Sequence, residues 1–194
     1  NNIAKPFGDG CISALSIVSR INMFLLSVGL GMGQGYQPVA GFNYQARKYN
    51  RVREGFKFTL ITSVVMMGTF CLFAMIFSEQ FVSLFIDDSK VIDIAKVALR
   101  FTVIALLAMP LSTVGNMLFQ SIGKNLVASF LSCLRAGLCY IPLIIILSMT
   151  LGLLGIQMTQ MVSDILTSLI TLPFIIHFFR NLPKEDNNDE ILQM

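Results

Sequence analysis

Between Ile21 and Ala46 the chain carries no Asp, Glu, Lys or Arg, and the same holds for Phe58 to Ser78, Phe101 to Gly123, Ala136 to Ser163 and Ile165 to Phe179. A helix needs about 20 mostly apolar residues to cross a hydrocarbon core of about 30 Å. In lipid every backbone polar group must find its partner inside the protein, which leaves helices or a closed barrel. Barrel strands would alternate over segments of about ten residues, whereas a run such as Leu143 to Leu147 (LIIIL) has no period of two. The expected class is an all-α membrane protein with five transmembrane helices near 12–44, 56–78, 94–122, 125–149 and 153–179. Composition agrees: 55% of residues are hydrophobic and 13% charged, with mean hydropathy +0.73, against roughly 25% charged in a soluble domain. A net charge of +3 gives no footprint of a nucleic-acid partner.

The first segment is too long for one straight span. It carries Gly29, Gly31, Gly33, Gly35 and then Pro38, so a break or kink is expected in its second half, with Gly35, Pro38 and Gly41 as bending residues. Pro110 and Pro142 are expected to bend spans three and four. Proline in a membrane helix also serves as plain packing geometry, since neighbours satisfy the freed carbonyl. The glycines do not fit GxGxxG and no GxxxxGK[ST] loop occurs, so neither nucleotide-binding signature is present.

Loop charges give an orientation. Arg47, Lys48, Arg51, Arg53 and Lys57 fall between spans one and two, Lys124 between three and four, and Arg180 and Lys184 after five. The other side holds Lys5, Lys90, Lys96 and Arg100, offset by Glu79, Asp87, Asp88 and Asp93. Eight basic residues against four assign the first group to the cytoplasm, with residue 1 outside and the tail 185–194 inside. The opening NNIAKPFGDG has neither Met nor a start-transfer helix, which points to a piece of a longer protein.

Polar residues inside the spans were placed by helical spacing. Span five gives Gln157, Gln160, Asp164, Ser168 and Thr171; span three gives Met109, Thr113, Asn116 and Gln120; span one gives Ser13, Ser16, Arg20 and Ser27, running on to Gln34; span four gives Ser129, Ser132 and Arg135. Span two has only Thr59, Thr62 and Ser63 at one end and reads as a lipid-facing outer helix. Four striped helices suggest a polar cleft, although Ser and Thr also bond across helices or to their own carbonyls. An acid at mid-membrane costs about 2.5 to 3.5 kcal/mol on insertion scales, so Asp164 needs compensation. At 1.5 Å per residue, Asp164 and Arg135 differ in depth by about 8 Å, near the combined reach of the two side chains. A structural Arg135–Asp164 pair and a proton- or cation-responsive carboxylate both remain open. Cys11, Cys71, Cys133 and Cys139 form no CxxC and read as packing residues. His177 is the single histidine, so no metal site or catalytic triad is expected.

The stretch GLGMGQGYQPVAGFNYQARKYNRVREG, Gly29 to Gly55, resembles the multidrug and toxic compound extrusion (MATE) transporters, in which a glycine-rich span runs into GQGxQPxxGxNxGA and a basic loop. Gln34, Gln37, Pro38, Gly41, Asn43, Tyr44 and Ala46 match, with Gln45 in place of the usual glycine. LFQSIGK, Leu118 to Lys124, and the pairing of SCLRAGLCYIPLI, Ser132 to Ile144, with VSDILTSLI, Val162 to Ile170, agree as well. The likeness is strongest to the bacterial branch that exports cationic drugs.

Family proteins have two six-helix lobes. The resemblance therefore implies that residues 1–184 are most of the second lobe, spans eight through twelve, in a bacterial inner membrane, and that the N-terminal lobe is a missing partner. It implies secondary-active export of amphipathic, often cationic compounds, driven by H+ or Na+ with no other cofactor. Asp164, Gln160, Arg135, Asn116, Gln120, Gln34 and Arg20 are the candidate substrate and cation pathway. An intramembrane enzyme would need catalytic groups at membrane depth, and no HExxH or paired aspartate occurs within the spans. A lipid-linked oligosaccharide flippase would call for more basic residues than Arg20 and Arg135. A non-transporting remnant is the third alternative.

Overall fold

The computed structural model describes residues 9–183 apart from Asp87. Among these residues the structure is helical, without strands: α1 (Asp9–Gln45), α2 (Tyr49–Ile76), the short α3 (Ser78–Ser83), α4 (Ser89–Ser121), α5 (Asn125–Cys133), a π-helical turn (Leu134–Leu138), α6 (Tyr140–Leu151) and α7 (Leu153–Asn181). The tail 185–194, Lys5 and Lys184 lie outside the described residues. By length and composition α1 from Ile12, α2 and α7 qualify as membrane spans, and α4 contributes the charge-free stretch 101–121.

α4 is the centre of the bundle. It packs on α1, α7, α2, α5 and α3, while α6 lies against α7. Two apolar clusters hold the helices together. One joins α1, α2 and α4 through Leu25, Met67, Cys71, Leu99, Val103 and Met109. The other, toward the opposite end, gathers Tyr36, Val52, Phe56, Leu118, Phe119, Leu131 and Phe178. α2 leaves Phe58, Ile61, Val65 and Leu72 exposed, and α6 has no buried residue at all. Large apolar side chains facing outward on peripheral helices suit a hydrocarbon environment, where they lose nothing by exposure.

One end of the bundle collects the basic residues. Arg53, near the start of α2, donates to the carbonyls of Phe179 (3.0 Å) and Leu182 (2.8 Å), so a cation meets the orphan carbonyls at the end of α7. Lys124 lies 4.9 Å from the centre of the Phe178 ring, a cation–π contact. The α1–α2 turn, the α4–α5 turn and the end of α7 therefore share one end, as the alternation of spans requires. Both turns close with the N–H of the third post-helical residue reaching back five residues: Lys48 to Asn43 (2.8 Å) and Lys124 to Phe119 (2.9 Å). The left-handed position is taken by Gly123 in one and by Arg47 in the other.

Four expectations need correction. α1 runs unbroken through Gly29–Pro38. Gly33 lets Met117 of α4 approach to 3.0 Å of where a Cβ would stand, so the neighbouring helix supports the segment and the loss of one N–H at Pro38 does not end it. Span four is not a single helix, since the π-helical turn divides α5 from α6. Cys139 donates to Leu134 five residues back (2.9 Å), and Pro142 has no N–H to offer Leu138, the last residue of the turn. Arg51, Arg53 and Lys57 are not loop residues, because α2 already begins at Tyr49. Likewise α4 begins at Ser89, ahead of the expected residue 94.

Candidate functional site

The π-helical turn has a consequence for charge. It carries Arg135 beside α7, where Arg135 Nε donates to Asp164 Oδ1 at 3.2 Å. Gln160, one turn before Asp164 on α7, donates through Nε2 to the other carboxylate oxygen at 2.9 Å. Both oxygens of the acid are thus engaged. The pair is asymmetric in exposure, 26% for the Arg135 side chain and 3% for Asp164, so the anion lies beneath and the guanidinium faces open space. Insertion of an extra residue into a helical turn redirects the side chain it carries, and such bulges recur at functional sites.

That open space is a cleft of about 490 Å³ walled by Leu26 of α1, Asn116 of α4, Ser132 of α5, Arg135, Tyr140 of α6 and Gln160 of α7. Asn116 bridges two of the walls, its Nδ2 donating to Ser132 Oγ at 2.9 Å. Behind it a smaller chamber of about 50 Å³ reaches Thr113, Met117, Leu131 and Thr167. Thr113 Oγ1 and Asn116 Oδ1 are buried there with no hydrogen-bond partner among the described residues. Buried polar atoms of this kind are uncommon and call for a water or ligand to satisfy them.

Of the predicted pathway residues, the structure brings four together: Asp164, Gln160, Arg135 and Asn116. Gln120 is one step removed. It lines an adjoining hollow with Ser132 and accepts from Gln37 of α1 at 3.0 Å. Gln34 and Arg20 are exposed on α1 and do not enter the cleft wall. The same holds for the rest of that stripe. Ser16 and Ser27 bond their own helix at Ile12 and Met23, 2.8 Å each. Pro38 is exposed, Gly35 has nothing near it, and Gly41 faces the Ser121 carbonyl, 3.1 Å from an added Cβ.

The lower and upper parts of the α7 stripe serve packing rather than a cavity. Gln157 Nε2 donates to Ile94 O at 3.2 Å, Ser168 Oγ donates to Ala108 O, and Thr171 bonds its own Thr167 carbonyl at 2.7 Å. Cys71 is a buried packing residue whose thiol reaches Val103 O at 3.3 Å, and the His177 ring pairs with Asn181 at 2.9 Å. Among the described residues no three His, Cys, Asp or Glu side chains converge as metal ligands would. Tyr140 was not anticipated from sequence. Its signal was present, three residues from Gly137 and two from Pro142, where an irregular turn redirects the helix.

Residues 3–146 match the MatE family profile. A multidrug export protein, MepA, of Staphylococcus aureus (strain bovine RF122 / ET3-1) is 23% identical over 192 residues, covering 98% of this chain and 42% of that protein. The MepA of Staphylococcus haemolyticus is 21% identical over 181 residues, 93% of this chain and 39% of its own length. Among solved structures, the outward-facing form of a multidrug resistance MATE family transporter of the MOP superfamily superposes with a TM-score of 0.87 at 19% identity, over 94% of this chain and 42% of that one. The bent form of the Vibrio cholerae MATE transporter VcmN gives 0.84 at 20% identity, over 92% and 41%. The chain thus spans about two fifths of the length of the relatives it matches. These family members are transporters rather than enzymes, and their fold is the one seen here. The match covers well over half of the sequence, and this multi-pass membrane protein belongs to the MatE family.

Proposed function

We propose that this chain forms one of two helical lobes of a secondary-active multidrug efflux transporter, and that the cleft against Arg135 and Asp164 is part of its substrate and ion path. The observation that carries the reading is the match to multidrug export proteins along 98% of the chain. Residues 1–184 take the second-lobe role, and the basic end formed by Arg47, Lys48, Arg51, Arg53, Lys124 and Arg180 faces the cytoplasm. Amphipathic compounds, many of them cationic, are carried by rocking of this lobe against its counterpart around a mid-membrane site. The gradient of H+ or Na+ supplies the drive.

Asp164 is the group suited to couple the two. An intramembrane acid held by a partner on another helix marks an ion or proton path. When the helices part, Asp164 exchanges Arg135 for a proton or a cation. A pyrophosphate-headed lipid fits poorly, since Arg135 is the one basic residue among the described residues of the cleft wall. The test is efflux of a quaternary ammonium dye from cells lacking their own pumps. The two-lobed protein carrying this sequence should export the dye, and the 194-residue chain alone should not. Export by the chain alone would overturn the two-lobe reading. Pro38→Ala in the two-lobed protein should slow export at unchanged abundance by restoring a helix hydrogen bond, and full export would leave Pro38 a packing residue.

A further inference from the structure

We propose that the cleft between α1, α5, the π-helical turn and α7 binds the acidic group of an amphiphile, a carboxylate or another compact monoanion, on the exposed face of Arg135. This rests on the efflux reading and adds a ligand class for the same site in the state seen here, with the Arg135–Asp164 pair closed. A charged pair buried in a cleft is electrically one-sided when one member covers the other. Among the described residues that wall the cleft, Arg135 is the only charged one, and Asp164 is not among them. The acid is 3% exposed and both of its oxygens are taken, by Arg135 Nε and Gln160 Nε2. A ligand entering the cleft therefore meets the cation first.

Hydrogen-bonding capacity points the same way. Arg135 uses Nε on Asp164, and its terminal nitrogens have no partner among the described residues. A guanidinium has five N–H donors in a planar fork and serves two carboxylates on two edges. Ser132 Oγ accepts from Asn116 Nδ2, which leaves its own O–H to donate elsewhere. Tyr140 stands in the same wall, and its side chain carries a further hydroxyl donor. Three side chains able to donate to an anion thus line one cleft, beside a single unpaired buried acceptor there, Asn116 Oδ1. Leu26 on the facing wall offers an apolar surface, and about 490 Å³ falls within the range of small-molecule sites. While the pair is closed, a cation meets like charge at Arg135 and finds its counterion covered.

The test uses the full 194-residue chain in lipid nanodiscs and three water-soluble probes of similar shape, benzoate, benzamide and phenyltrimethylammonium, with binding followed by saturation-transfer NMR. Benzoate should bind and the other two should not. Arg135→Gln should abolish benzoate binding. Asp164→Asn, which removes the competing anion, should tighten it at least about tenfold. Tyr140→Phe and Ser132→Ala, which leave the ion pair intact, should each weaken it about three- to tenfold, so the proposal stands or falls even where an ion-pair variant misfolds. Binding of phenyltrimethylammonium that disappears in Asp164→Asn would make the cleft a cation site and overturn the proposal, as would equal binding of benzamide and benzoate. Dye export by the two-lobed protein is scored separately. Loss of benzoate binding with export intact removes this inference alone, and benzoate binding without export removes the efflux reading alone.

Discussion

α7 and α1 both carry a polar side chain on almost every turn, yet the two polar faces end in opposite surroundings. On α7, Gln157, Asp164, Ser168 and Thr171 are buried, and the first three reach partners on α4 or the π-helical turn. On α1, Ser13, Ser16, Arg20, Ser27 and Gln34 stay exposed, and Ser16 and Ser27 spend their hydroxyls on their own helix. The difference lies in what covers each face. α4 crosses the polar side of α7 but packs on the apolar side of α1, where Ala14, Ile17, Ile21 and Leu25 are buried. Helical spacing identifies a face, and only the neighbour decides whether that face becomes a cleft, a helix contact or an open surface.

The comparison is broken most severely at the ion pair. Asp164→Asn leaves Arg135 with a neutral partner in a largely buried position, and removing one member of a buried pair costs about 3 to 5 kcal/mol. The partial exposure of Arg135 brings the expectation to the lower end. Protein abundance in the membrane should fall severalfold. Arg135→Gln added to Asp164→Asn should recover most of it, because the stranded charge is gone. Arg20→Gln on the open face of α1 should change abundance little. Quantitative immunoblotting of the four variants checks this, and a double variant as poor as Asp164→Asn would show that the pair is not the cause.

A packing substitution sharpens the contrast next. Where α4 meets α7, a Cβ on Gly115 would stand 2.7 Å from Ile175 Cδ1 and 3.0 Å from Thr171 Cγ2. On the open face of α1, an added Cβ at Gly31 meets nothing within 4 Å. Gly115→Val should therefore destabilise the bundle by about 1 to 3 kcal/mol through overpacking. Gly31→Val should cost less than about 1 kcal/mol. Thermal denaturation in detergent, read by loss of monodisperse protein, ranks the two, and equal melting would mean that the α4–α7 contact yields freely.

How much of this was legible in sequence follows from which forces are local. Charge-free runs mark the spans because desolvating a charge dominates every other term: α7 (Leu153–Asn181) lies close to the expected 153–179, while α4 starts ahead of expectation because its first turns, from Ser89, carry charge. The Arg135–Asp164 pair was within reach because depth along a helix is simple arithmetic. Its direct contact was not derivable, since it depends on the π-helical turn, and the turn on Pro142 and the packing of α6 on α7. That packing is itself close: at the left-handed Gly152 the chain reverses, and a Cβ at Gly155 would collide with the Leu147 carbonyl. The break expected in α1 is absent for the converse reason. Glycine and proline weaken a helix in isolation, but a supporting neighbour keeps it continuous.

The smallest effects test the hydroxyls and amides on the two faces. Gln157→Leu and Ser168→Ala each remove a hydrogen bond from α7 to an α4 carbonyl. Such interhelical bonds in membranes are worth about 0.6 kcal/mol on average and about 1.7 at most, so each should lower the melting temperature measurably. Ser27→Ala removes a bond only to Met23 of its own helix, 2.8 Å away on an exposed surface, where water or lipid headgroups and the freed carbonyl's helical partner make up the loss. Its melting temperature should be unchanged in this chain. Repeating the three substitutions in a two-lobed protein extends the comparison, because a second lobe seated on α1 would bury Ser27. There Ser27→Ala should move toward the cost of Ser168→Ala. An unchanged value in both proteins would mean that the polar face of α1 stays open to solvent, and that the lobes meet elsewhere.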